Sequence, residues 1–68
     1  MFAKVLRQAG HTRTFAVSER GKDGWEIREE RDNRILKRVC YTDWHRVERA
    51  VTVFNLQIGE LESHGWHS

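Results

Sequence analysis

The stretch TDWHRVERAVTVFNLQIGEL, from Thr42 to Leu61, decides the fold. Trp44, Val47, Val51, Phe54, Ile58 and Leu61 recur at spacings of three, four, three, four and three, which puts six large apolar side chains on one stripe of a helix with Ala50 at its flank. Arg46, Arg49, Thr52 and Glu60 fall away from that stripe. Thr42 or Asp43 supplies the cap, because a short side-chain oxygen there accepts a bond from an amide that the first turn leaves unpaired. Gly59 weakens the last turns by about 1 kcal/mol relative to Ala. Gly65 is the terminator, so the helix is predicted to end near Glu62.

Upstream of Thr42 the apolar period changes from 3.6 to 2. In Thr12–Ser18, Phe15 and Val17 point one way and Thr14, Ala16 and Ser18 the other. Glu19–Gly24 carries two glycines and an Asp-Gly step, a turn signal. In Trp25–Glu30, Trp25 and Ile27 oppose Glu26, Arg28 and Glu30. Arg31-Asp32-Asn33-Arg34 reads as a tight turn, since Asp and Asn bond their own backbone. In Ile35–Tyr41, alternation puts Ile35, Lys37, Val39 and Tyr41 on one face and Leu36, Arg38 and Cys40 on the other. Residues 2–9 fit two patterns: Phe2, Val5, Leu6 and Ala9 share a helical face, whereas Phe2, Lys4 and Leu6 alternate as in a strand. We read them as an extra strand pairing with the sheet.

These elements make an α+β, two-layer β-β-β-α domain: a three- or four-stranded antiparallel sheet packed on one long C-terminal helix. Residues 1–11 form an N-terminal segment, 12–41 the sheet, 42–63 the helix and 64–68 a tail. A helix of about 20 residues spans about 30 Å, and strands of about six residues span only about 20 Å. Ile58, Leu61 and Trp66 are therefore expected to overhang the sheet, covered either by Phe2, Val5 and Leu6 or by a second subunit.

The chain has 68 residues and formal net charge +2, with 38% hydrophobic and 32% charged residues. That length suits one domain and leaves no room for two lobes around a catalytic cleft. Three Trp, three Phe and one Tyr argue for a small aromatic core rather than disorder. No stretch approaches the roughly 20 apolar residues of a membrane span, and the opening Met1–Arg7 lacks the apolar run of a signal peptide. The charge runs downhill: residues 1–22 hold five bases against Glu19 alone, 23–40 balance, and 41–68 hold four acids against Arg46 and Arg49.

The chemistry-bearing residues point away from catalysis. A single cysteine excludes an internal disulfide and a multi-Cys zinc site. His64 and His67 have a tolerable ligand spacing but lack the partners that a structural zinc needs, so no metal or other cofactor is expected. Cys40 with His45 lacks an orienting group and a pocket. Gly21-Lys22-Asp23-Gly24 lacks the length and the following Lys-Ser/Thr of a phosphate-binding loop.

Two binding readings remain. As a protein-interaction or self-association module, the chain would use Leu36 and Cys40, with Ala16, as an apolar centre on the open sheet face. Ile58, Leu61 and Trp66 would form a second patch. As a nucleic-acid binder it would bring Arg13, Arg28, Arg31, Arg34 and Arg38 to phosphates. Glu26 and Glu30 on the same face oppose a polyanion, and no exposed aromatic pair offers a stacking platform; a fully paired, solvent-facing charge lattice explains the same residues without any ligand.

The run Gly24–Glu30 followed by Tyr41–Ala50 resembles short bacterial proteins of unassigned function, in which a Gly-Trp-led strand, a second hairpin and a helix make a β-β-β-α unit. The resemblance covers about residues 12–66. It implies a cytoplasmic bacterial protein and carries over no catalytic residues.

Overall fold

Period-2 alternation in the first two-thirds of the chain builds a four-stranded antiparallel meander, and the apolar stripe after it lays a helix across one face. The computed structural model describes residues 2–68. Strands β1 (Phe2–Gln8), β2 (His11–Glu19), β3 (Trp25–Arg31) and β4 (Arg34–Tyr41) lie in the order β1-β2-β3-β4, followed by helix α1 (Trp44–Ser63). Residues 2–8 are thus the extra strand, paired with β2 from Phe2↔Val17 to Gln8↔His11.

The turns follow from residues that tolerate left-handed backbone. Ala9–Gly10 and Asp32–Asn33 all have positive φ, between 50° and 81°, the requirement of two-residue hairpins whose twist matches their strands. Gly24 closes the β2–β3 connection at φ 82°, where a Cβ would collide with the Tyr41 carbonyl of β4. Only glycine fits there.

Asp43 caps α1 by accepting the His45 amide at 2.9 Å. At the other end the Gly65 amide donates to the Glu62 carbonyl and the Trp66 amide to Leu61, with Gly65 at φ 97°. This is a Schellman turn, which satisfies the last carbonyls and folds Trp66 back beside Leu61.

The core is Leu6, Phe15, Val17, Ile27, Val47, Phe54 and Ile58, flanked by Phe2, Trp25, Tyr41, Ala50, Val51, Leu61 and Trp66. Phe54 packs edge-on to Phe15 at 5.1 Å between ring centroids, and Trp44 meets Trp25 at the same separation. Together the burial of these side chains supplies most of the driving force, since each fully buried apolar side chain contributes roughly 1.5–3 kcal/mol.

The expected overhang is absent. The strands are seven to nine residues long, and the nine of β2 span about 30 Å, which matches the helix. Leu6 is fully buried and Ile58 is only 7% exposed, so Ile58 is a core residue and not part of an exposed patch. Leu61 and Trp66 also pack against the core.

Candidate functional site

Two features of β4 set the surface around it. The first is a bulge. Pairing with β3 runs Tyr41↔Trp25, Val39↔Ile27 and Lys37↔Glu29, then shifts so that Ile35 faces Glu30 and Arg34 faces Arg31. The extra residue reverses the alternation expected from sequence. Ile35 joins Glu30 on the face away from α1 instead of sharing the face of Lys37. Ile35 and Leu36 are each 54% exposed.

The second feature is position. β4 is an edge strand with nothing paired on its outer side among the described residues. The opposite edge is pinned at one end: the Arg7 amide donates to the His67 carbonyl at 2.6 Å, and the His67 amide donates back to Arg7 at 3.0 Å.

The open sheet face is the charge lattice of the two expected arrangements, and its centre is a carboxylate rather than an apolar patch. Glu26, opposite Ser18 and Cys40, is 3% exposed. It accepts from Arg38 Nε at 2.8 Å and lies 3.7 Å from Arg28 and 4.0 Å from Arg20. The Arg38 hydrogen bond, with the charges of Arg38, Arg20 and Arg28, outweighs burial and holds the Glu26 carboxyl below the ordinary glutamate range. Arg28 Nε lies 2.8 Å from Glu30, near enough for an ion pair but not aligned for a hydrogen bond. Ala16 is buried and Cys40 exposed.

Of the five arginines expected to reach phosphates, three are therefore engaged. Arg28 and Arg38 neutralise Glu26 and Glu30. Arg13 points to the helix side, donating to Glu29 at 2.6 Å and lying over the Phe15 ring at 5.5 Å. Arg31 and Arg34 flank the β3–β4 turn, are exposed and take part in no ion pair among the described residues.

Three more bases escaped the sequence reading. A cleft between β4 and α1 is lined by Lys37 and Tyr41 from the strand and by Arg46, Arg49, Val53 and Gln57 from the helix, with Glu29, Ala50 and Phe54 at its floor and sides. Arg46 lies over the Tyr41 ring at 6.0 Å. Lys37, Arg46 and Arg49 have no ion-pair partner among the described residues, and the one carboxylate in the cleft, Glu29, is held by Arg13. A signal was present in the helix: Arg46, Arg49 and Val53 are spaced three and four apart, a second stripe beside the core one. Its meaning depended on which strand it would meet.

A second cleft lies on the other flank of α1, lined by Phe2, Val17, Trp44, Val47 and Val51, with Glu48 and Thr52 as its polar members. At the far end of the sheet Asp32 accepts from the Thr12 amide and meets His11 Nδ1, both at 2.9 Å. The Thr12 amide and the His11 ring lower the Asp32 carboxyl below its usual range. Among the described residues no three His, Cys, Asp or Glu side chains converge as a metal site would need, and no helix is long and apolar enough to cross a membrane. His64 Nδ1 sits 2.8 Å from the Glu60 carbonyl, and His45 lies 3.8 Å from Glu48.

No protein-family model, curated protein or solved structure matches the chain.

Proposed function

We propose that the chain is a small, cytoplasmic, non-enzymatic interaction module that engages another macromolecule through the β4 edge and the flank of α1 beside it. The observation that carries this reading is the contrast along one strand. β4 is eight residues long, unpaired on its outer side, and exposes Ile35 and Leu36 beside unpaired basic side chains. An exposed edge of that length is a template for another chain, and an apolar centre with a charged rim is the anatomy of a docking surface. The charged groups at the cleft are guanidinium and ammonium groups and one carboxylate already paired, a set suited to binding.

Photo-crosslinking in the source cell tests it. A benzoylphenylalanine at Leu36 or Val53 is expected to give a discrete higher-mass adduct, and the same group at Ala3 or Glu62 is expected to give none. Adducts of equal yield from all four positions, or none at all, would overturn the assignment. A mass twice that of the chain would identify a second copy.

One observation favours nucleic acid as a second reading: Arg31, Arg34, Lys37, Arg46 and Arg49 all lie on the β4 side and form no ion pair among the described residues. A fluorescence titration with duplex DNA and RNA checks it. Phosphate binding requires affinity to fall with salt at a log–log slope of about −0.9 per phosphate neutralised on B-DNA.

A further inference from the structure

We infer that the β4–α1 cleft takes an extended acidic peptide segment of another protein, which adds to β4 as a fifth strand. The inference rests on the reading of this edge as the interaction surface and names its occupant.

Three observations select that occupant. First, the strand itself is basic. Arg34–Tyr41 contains Arg34, Lys37 and Arg38 and no acid, and of these only Arg38 is in an ion pair. A strand added beside β4 lies about 4.8 Å from it, with its cross-strand neighbours within reach of Lys37 on one face. Second, α1 turns Arg46, Arg49 and Val53 toward the same cleft. Residues of the added strand that face the helix side therefore meet two guanidinium groups and Lys37, which select carboxylates, while every second residue turns to the other face, where exposed Ile35 and Leu36 favour a small apolar side chain.

Third, a second copy fits poorly. Antiparallel pairing of β4 with itself sets a strand of three bases and no acids against another, and like charges directly opposite are destabilising. The chain's own acid-rich strand, Glu26–Glu30, lies inside the sheet between β2 and β4 and is not free to supply the complement. A polyanion such as nucleic acid would satisfy the bases but would leave the edge amides and carbonyls of β4, and exposed Ile35 and Leu36, unused. An acidic strand uses all three, with main-chain bonds giving affinity and alternate side chains giving selectivity.

The test uses a fluorescein-labelled, acetylated and amidated peptide of alternating Glu and Val. It is expected to bind saturably and to shift and protect the amides of residues 34–41 in NMR spectra. The exposed double variant Lys37→Glu with Arg49→Glu is expected to weaken binding about tenfold or more, equivalent to about 1.4 kcal/mol. Lys4→Glu with Lys22→Glu, on other parts of the surface, is expected to leave binding unchanged; circular dichroism verifies that all variants fold. Methylating alternate amides of the peptide blocks its edge bonds and is expected to abolish binding. Equal binding of the methylated peptide, or of a Lys/Val peptide, would overturn the inference, as would tighter binding of a DNA duplex at the same salt. If the Glu/Val peptide fails while crosslinks still form from positions 36 and 53, the acidic-strand occupant falls and the module reading stands. If both fail, the module reading falls with it.

Discussion

The two edges of this sheet end in opposite ways. At β1 the chain's own C-terminus returns. The Schellman turn at Gly65 brings Trp66 against the core and His67 onto Arg7, and Leu6 beneath them is fully buried. At β4 no segment returns among the described residues, most of the strand is exposed, and basic side chains border it. The helix joins these ends by its path: it begins beside Trp25 and ends beside Gln8, whose Nε2 donates to the His64 carbonyl at 2.7 Å. Edge strands are an aggregation liability that charge can blunt. Here one edge is pinned at its end by returning backbone, and the other carries three bases and no acid along its length.

The largest difference between the two edges is expected from a matched pair of truncations. Leu6→Ala removes a fully buried side chain and is expected to cost about 2–5 kcal/mol, whereas Leu36→Ala on the open edge is expected to stay within about 0.5 kcal/mol. Urea denaturation of the two variants reads the difference. Equal losses would mean that β4 is covered in solution.

A smaller effect is expected from Gly65→Ala. Its φ of 97° lies where an L-residue costs roughly 1–2 kcal/mol, so the latch on β1 loosens. Hydrogen exchange is expected to quicken at the Arg7 amide and to stay unchanged along β4. Protection of Arg7 surviving the substitution would show that His67 holds the edge without the turn.

The mildest effect is confined to acid. Glu26 titrates below the ordinary glutamate value of 4.5 because Arg38, Arg28 and Arg20 favour its charged form, and Asp32 is lowered likewise. A carboxyl lowered in the fold contributes stability that is full above its unfolded value and fades as pH falls through the folded one. Urea midpoints are therefore expected to drop on acidification below about pH 4.5, with a shallower drop in Glu26→Gln. An unchanged slope in that variant would place the acid sensitivity elsewhere, with Asp32 the next candidate.

Much of this was legible in the residues. Phe15/Val17 and Trp25/Ile27 announced the core face of β2 and β3, Asp32-Asn33 the hairpin, Asp43 and Gly65 the helix limits. Each of these signals is local: a period, a cap or a φ preference that needs no distant partner. The basic cleft was not legible. Arg46 and Arg49 looked like an ordinary solvated flank, and Arg28 and Arg38 fitted either phosphate contacts or a paired charge lattice, because which charges meet is decided across elements far apart in sequence.

Local pattern was enough to set the class of fold, the helix with its caps, and the core stripe, since burial of alternating or stripe-forming apolar side chains leaves few other solutions. Tertiary structure alone decided three things. Pairing extended the strands to seven to nine residues and removed the expected overhang, and the return of Trp66–His67 pinned one end of β1. The bulge opposite Glu29/Glu30 moved Ile35 to the other face, because one inserted residue reverses a period-2 pattern. The crossing of α1 over the sheet set Arg46 and Arg49 beside Lys37, because which charges meet depends on packing geometry that no local pattern encodes.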